Sequence, residues 1–552
     1  MKRAARRDTS VVVGAAVLLA LAVLPRLIGI TWGLPQVFNA DEPHVINMAV
    51  SLAGSLRPFS FKYPTLWPTV LAFCYGLWFA VWSGFGFLRG TVDFAAKYAF
   101  EPTGFYLIAR VLATICQLGA FAVIARAERE KDDGRWPYGA ALLAASPVVV
   151  ELAHSAKPDS LMFLLIAGAY AAAMRFQRGG GKAWLMGSAA LAGLACSAQY
   201  TAAPAGLVVP LAWLLRSGGP APFSWLISAG LVSIAGFALG TPYAFIEHAR
   251  FAADWSDYAD LGRLKPHDAA ATARLVAKNL WCFGGEGSLG GAAAIVGFLA
   301  LARKEAKRAL LLAIPVGVYA ALLSASFDGG VPRYILGAYP ALALLGGEGF
   351  SLLGGASAWR RGLVAFLALT PGLYLTWHYD AELLRPDTRT LSTAWLKENV
   401  PAGAVILLDQ PHTGPMAFPS KEQCLHLAER TERLGSPRAR LYRAMAARHP
   451  GGGWYIYRIQ RTARDLWSAP RHVAASQADA EFLDVRPGLD LVRAARVEWV
   501  VTSSYGADPH RSRELATFFS ELAEQSELVR EFPSGPGVAA GPWLRAYRLR
   551  RP

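Results

Sequence analysis

Phe38-Asn39-Ala40-Asp41-Glu42-Pro43-His44 is the stretch on which the reading of this chain turns. It follows an apolar run that starts at Val11, itself preceded by the basic tail Met1-Lys2-Arg3-Ala4-Ala5-Arg6-Arg7. Basic residues hold the start of a membrane span on the cytoplasmic side, so the first span should deliver Asp41 and Glu42 to the outer face. Nucleotide donors are absent there. An acidic pair at that surface points to chemistry on something delivered by lipid. Pro25-Arg26-Leu27-Ile28-Gly29-Ile30 offers no clean small-residue cleavage site, so the run is read as an uncleaved span rather than a signal peptide.

Composition supports a membrane chain. Of 552 residues, 54% are hydrophobic and only 17% charged, well under the quarter or so usual in soluble proteins. Apolar runs of about twenty residues recur through the first two-thirds, each long enough for a hydrocarbon core. The last third has mixed charges, Pro-Gly turns and short apolar runs. The fold class expected is a polytopic α-helical membrane protein carrying a C-terminal α/β extracytoplasmic domain, divided as residues 1–377 and 378–552. The net charge of +15 is assigned to cytoplasmic loops and not to nucleic acid, since no zinc-finger spacing or Gly-Lys-Thr/Ser loop is present. Cys74, Cys116, Cys196, Cys282 and Cys424 form no disulfide or zinc framework.

Charge bookkeeping orders the spans. Placing Arg126/Arg129/Lys131/Arg135, Arg175/Arg178/Lys182, Arg216, Arg303/Lys304/Lys307/Arg308 and Arg360/Arg361 inside gives about eleven crossings. They fall near 11–30, 105–125, 138–155, 160–177, 183–199, 200–215, 224–240, 281–301, 309–325, 333–354 and 361–377. An odd count leaves the C-terminal domain outside. Residues 64–83, with three tryptophans, are expected to lie as a helix in the outer leaflet. The external loop Pro242 to Lys278 carries Arg250, Arg263, Lys265, Arg274 and Lys278, either as translocated charge or as a basic collar for an anionic head group.

Beyond Trp377 the pattern predicts a helix at 390–397, a strand at 404–408, a strand at 497–502, a helix near 512–526 and a strand near 543–549. Gly451-Gly452-Gly453 reads as a loop, with no phosphate-binding glycine fingerprint or Ser-His-Asp signature.

Candidate chemistry gathers at the outer boundary. Asp41 and Glu42 suit the start of a helix running from His44 to Leu56, one acid capping and the other facing a cleft. Asp159, between Pro158 and Ser160, suits an N-cap, and a carboxylate at that depth can also hold a metal or orient a substrate. Glu151 and His154 precede it; the histidine is read as hydrogen-bonded in a helix. Lys62, in Phe59-Ser60-Phe61-Lys62-Tyr63-Pro64-Thr65-Leu66, either snorkels or binds a lipid phosphate as a point charge. Arg333, in Val331-Pro332-Arg333-Tyr334, can grip phosphate with paired hydrogen bonds.

Asp-Glu after a first span, the Lys62-x-Pro64-x-Leu66 segment, the membrane-edge Asp159 and the late Arg333-Tyr334 before Pro340 together resemble the C-type membrane glycosyltransferases (GT-C). Within them the chain is similar to the protein O-mannosyltransferase and lipid A aminoarabinose transferase group, over roughly residues 8–377. Phe61, Thr65 and Gln199 depart from that pattern. The resemblance implies transfer of a sugar from a polyprenyl-phosphate carrier to an acceptor hydroxyl of a protein, glycolipid or wall polymer, at the outer face of the inner membrane. It maps the first-loop acid onto Asp41, the second acid onto Asp159 and the loop lysine onto Lys62. Chemistry then suggests Asp41 as base, Lys62 and Arg333 on the leaving phosphate, and inversion at the anomeric carbon. Glu42 and Asp159 would orient groups, and a divalent metal would be bound by Asp41 and Asp159. The alternative is a transporter or flippase of an anionic lipid-linked substrate, although transporters place charge at mid-membrane on broken helices.

Overall fold

The computed structural model describes residues 16–130, 136–264, 268–326, 330–355, 357–409, 412–436, 438–460, 481–507 and 513–550. The basic tail, Lys131, Arg135, Lys265 and Asp328 lie outside the described residues.

In chain order the helices are α1 (Ala16–Leu27), α2 (Glu42–Ser55), α3 (Leu66–Gly84), α4 (Thr91–Phe100), α5 (Thr103–Arg129), α6 (Tyr138–Ala144) and α7 (Pro147–Ala153). Then come α8 (Asp159–Gln177), α9 (Lys182–Ala198), a 3-10 segment Tyr200–Leu207, α10 (Val208–Leu214), α11 (Phe223–Gly240), α12 (Tyr243–Ile246), α13 (His248–Leu264) and α14 (Ala269–Trp281). The helical series closes with α15 (Gly290–Lys304), α16 (Ala306–Ser324), a 3-10 segment Pro332–Ala338, α17 (Tyr339–Gly354) and α18 (Ala358–Leu383). Among the described residues six helices are long and apolar enough to cross a membrane: α3, α5, α8, α11, α16 and the continuous Pro332–Gly354. This is a multi-pass membrane protein.

Several expected crossings differ locally from a single straight helix. The stretch 138–155 is broken after Ala144, where Pro147 at the first turn of α7 cannot extend the preceding helix. The stretch 200–215 starts as a 3-10 turn around Pro204. The interfacial candidate at 64–83 is one unbroken 19-residue helix, α3, with the length and apolarity of a span.

The chain divides into two compact units. The first comprises Met1–Thr31, Asp41–Tyr75 and Tyr106–Ala381. Its interior is alanine- and glycine-rich, which lets backbones approach closely. A β-carbon on Gly297 would overlap the carbonyl of Leu345, and one on Gly349 that of Ala293, so α15 and α17 touch through bare backbone.

The second unit comprises Trp32–Ala40, Gly76–Phe105 and Glu382–Pro552. Helix α19 (Thr388–Asn399) leads into a six-stranded sheet of order β3-β2-β1-β4-β6-β5. The strands are β1 (Val405–Leu408), β2 (Tyr455–Gln460), β3 (Glu481–Asp484), β4 (Trp499–Ser503), β5 (Ser526–Phe532) and β6 (Leu544–Leu549). The first four run parallel and β5 and β6 antiparallel. Central strands are buried on both faces: Ile406, Leu408 and Val501 join one core, Leu407 and Val500 the other. Gly451, Gly452 and Gly453 all have positive φ in the turn before β2. In the same unit the Arg389 guanidinium, paired with Asp387 at 2.7 Å, lies 3.5 Å over the Phe38 ring.

Candidate active site

The break between α7 and α8 and the approach to α2 build the site within the first unit. Asp41 occupies the N-cap position of α2, but its side chain makes no cap hydrogen bond. Instead Oδ2 accepts from Arg333 Nη1 at 2.7 Å and meets Lys157 Nζ at 3.0 Å. These three residues are far apart in sequence. The Pro332–Ala338 turn brings Arg333, whose Nη2 also reaches the Tyr334 hydroxyl at 3.3 Å; the α7–α8 linker brings Lys157.

Lys157 is placed by its neighbour. The Ala156 amide donates to Glu42 Oε1 at 2.7 Å, and the Ala156 carbonyl accepts from Trp67 Nε1 at 3.0 Å. Glu42 is itself fully buried and gripped by Arg110, Nε to Oε1 at 3.0 Å and Nη2 to Oε2 at 2.9 Å. Arg110 Nη1 donates to the Ile30 carbonyl at 2.8 Å, which ties the end of the first apolar run to the same clamp. A bidentate buried pair of this kind fixes geometry as well as charge. Glu42 therefore sits in a clamp that holds the linker, and Asp41 sits in the cluster that the linker carries.

Asp159 is the first residue of α8 and does not cap it: Pro158 takes the N-cap position and no side-chain cap bond forms, a correction to the expected N-cap, because the helix starts one residue earlier than the Pro-Asp-Ser pattern suggests. Its side chain is buried, and Oδ1 has no hydrogen-bond partner among the described residues. An ionisable oxygen left dry in this way is costly, and its usual explanation is a ligand or water at the site. Tyr63 lies close enough to Asp41, Arg333 and Asp159 to feel their charges; burial first, then Asp41, push its phenol well above the ordinary range.

Lys62 is exposed on a rigid support. The Phe61 amide donates to Asp254 Oδ2 at 2.7 Å, and the Phe61 carbonyl accepts from the Tyr200 hydroxyl at 3.1 Å. Thr65 docks on the end of α11 through Gly240 O at 2.7 Å and Thr241 Oγ1 at 3.2 Å. The Lys62 ammonium makes no ion pair among the described residues. His154 approaches the carbonyls of Val150 and Ile28 at 3.0 and 2.7 Å, a buried hydrogen-bonded histidine. In the stretch from Pro242 to Lys278, Arg250 is paired with Glu247 at 3.0 Å, and Lys278 is paired with Glu286.

Electrostatically, burial pulls the Asp41 carboxyl up, but Lys157 and Arg333 outweigh it and hold it below its ordinary value of 3.8. The cluster thus keeps Asp41 ionised and holds two cations on one carboxylate. Such a site accepts an anion readily and a third cation poorly. No group of three His, Cys, Asp or Glu side chains is gathered among the described residues. Of the two expected metal ligands, Asp41 is engaged by Lys157 and Arg333, while Asp159 keeps Oδ1 without a partner among the described residues.

No protein-family model and no curated protein matches the chain. Solved structures do. ArnT from Cupriavidus metallidurans in the apo state matches with a TM-score of 0.56 at 14% identity, over 98% of each chain. The same protein bound to undecaprenyl phosphate gives 0.55 at 13% identity, again over 98% of each. An Archaeoglobus fulgidus oligosaccharyltransferase in complex with zinc and sulfate matches at 0.40 and 12% identity, over 95% of this chain and 72% of that one. What the likeness to ArnT shows is the fold, a helical membrane module followed by a sheet domain.

Proposed function

We propose that the protein is a glycosyltransferase that moves a sugar from a polyprenyl-phosphate carrier to an acceptor hydroxyl at the outer face of the inner membrane. The observation that carries this is the Asp41 carboxylate held between Lys157 and Arg333, at 3.0 and 2.7 Å, within a fold shared end to end with ArnT. ArnT is seen bound to undecaprenyl phosphate, and a lipid phosphate is the kind of anion two such cations suit.

The chemistry follows from charge. The donor phosphate competes with Asp41 for Arg333 and Lys157, with Lys62 as the exposed cation able to move onto it. Freed of its two partners, Asp41 regains ordinary carboxylate basicity. The acceptor oxygen attacks the anomeric carbon as its proton passes to Asp41; the carbon–oxygen bond to phosphate breaks, and polyprenyl phosphate leaves with the electron pair. A single displacement inverts the anomeric centre. The phosphate leaves without protonation, so no second acid is needed, and the cations hold the charge that grows on it. Asp159, with one oxygen unengaged, orients the acceptor or sugar, and Glu42 positions Lys157 through Ala156.

The test is release of free polyprenyl phosphate by the purified protein, given a panel of polyprenyl-phosphate sugars and membrane extract. Release that depends on Asp41 supports the transferase and identifies the donor. Folded protein that releases nothing from any donor, yet moves lipid-linked substrate across liposomes, would replace the transferase with a flippase.

A further inference from the structure

A second basic site lies at the other end of the same helices. Helices α5 and α8 carry Arg126 and Arg175 in their last turns, and α9 begins at Lys182. Sixteen residues of α8 separate Asp159 from Arg175, about 24 Å at helical rise, so this end lies most of a hydrocarbon thickness from Asp159. Between the three helices runs a groove of about 610 Å³. Its apolar lining is mostly small residues, Ala171 and Gly187 among them, with Leu191.

The rim is polar and cationic. Arg175 lies 4.4 Å over the Trp184 ring and pairs with Glu130 at 2.8 Å. Arg178 also pairs with Glu130, while the exposed Arg126 makes no ion pair among the described residues. Three arginines against one carboxylate leave two positive charges over an apolar trough. Trp184 is 40% exposed, the setting of an indole at a membrane interface.

We propose that this groove binds an anionic glycerophospholipid of the bilayer, with an acyl chain along the small-residue floor and the phosphate on Arg126 and Arg175. Charge complementarity selects the occupant: a basic pocket between membrane helices, near their arginine-rich ends, is where acidic head groups dock. Arg175 is stiffened for this by Trp184 on one side and Glu130 on the other. The site is independent of the transferase chemistry.

The experiment is native mass spectrometry of the full chain in detergent, titrated with phosphatidylglycerol or phosphatidylcholine. Wild type should retain phosphatidylglycerol about tenfold better, and the Arg126→Gln/Arg175→Gln pair should lose that preference. Gly187→Phe should lose the lipid by filling the floor, since a β-carbon there meets nothing within 4 Å, with folding checked by an unchanged thermal midpoint. Unchanged phosphatidylglycerol retention in folded Gly187→Phe overturns the proposal, as does equal retention of phosphatidylcholine by wild type. Displacement of bound phosphatidylglycerol by polyprenyl phosphate would assign the groove to the donor instead. A change of oligomeric mass in Gly187→Phe with lipid retained would assign it to a second copy.

Discussion

The carboxylate of Asp41 is 39% exposed and shared by two cations, whereas that of Glu42, one residue on, is fully buried in a bidentate pair with Arg110. Helix geometry separates them: Asp41 sits at the cap of α2 and Glu42 at its first position, so they face different surroundings. The buried side has every oxygen satisfied and nothing to exchange with solvent. The half-exposed side holds charges that an incoming anion can redistribute. Adjacent acids thus divide between holding the framework and meeting the ligand, and the two settings predict opposite responses to mutation.

The sharpest way to break this contrast is to remove Arg110. Arg110→Ala leaves the Glu42 carboxyl buried without its cation, and should cost about 3–5 kcal/mol of stability, read as a large drop in the thermal midpoint in detergent. A midpoint within a degree or two of wild type would mean that Glu42 is not clamped. Asp41→Asn should do the reverse: turnover falls by about 10²–10⁴, while the midpoint falls less than in Arg110→Ala, because the Asp41 side chain is 39% exposed and asparagine keeps an oxygen for the buried Lys157. Next come the cations. Arg333→Ala and Lys157→Ala should each raise the KM for the lipid donor about ten- to a hundredfold, more than they lower stability.

These variants also move a pH profile. Although burial raises the Asp41 pKa, Lys157 and Arg333 bring it below 3.8 in the free protein. The acid limb of kcat/KM from this group should therefore lie below that value, and Arg333→Ala should shift it upward. Any stability linked to the same depressed pKa is fully present at neutral pH and is lost only as pH falls through the depressed value. Smallest of all, Lys62→Ala should change donor KM by about threefold or less, because an exposed lysine is screened by water. A hundredfold effect would move the phosphate from Lys157 towards Lys62.

Much of the architecture was legible in the chain. Apolar runs of span length, and the short buried strands around Ile406 and Val500, carry their own periodicity and length. Strands β2, β3 and β5 were less so: β5 exposes most of its residues, and Tyr455–Gln460 mixes aromatic and charged side chains. At the site, sequence brought forward Asp41, Glu42, Asp159, Lys62 and Arg333 as separate boundary residues. The proximity of Asp41 and Arg333, 292 positions apart, is a property of packing that no local pattern encodes. Lys157 was passed over beside Asp159, although a lysine between Ala156 and Pro158 at a span boundary is itself a signal. Arg110 was missed too. An arginine amid the apolar residues of α5 almost requires a buried acid, and Glu42 was the acid to seek.

The central claim is that Asp41 and a lipid phosphate compete for the same two cations, with Asp41 then serving as base. The most direct measurement pairs binding with turnover: polyprenyl phosphate affinity and sugar transfer, for wild type and Asp41→Asn side by side. Asp41→Asn should bind polyprenyl phosphate at least as tightly as wild type, its competitor being gone, while transfer is lost. Weakened binding in a folded Asp41→Asn protein, or transfer at the wild-type rate, would contradict it.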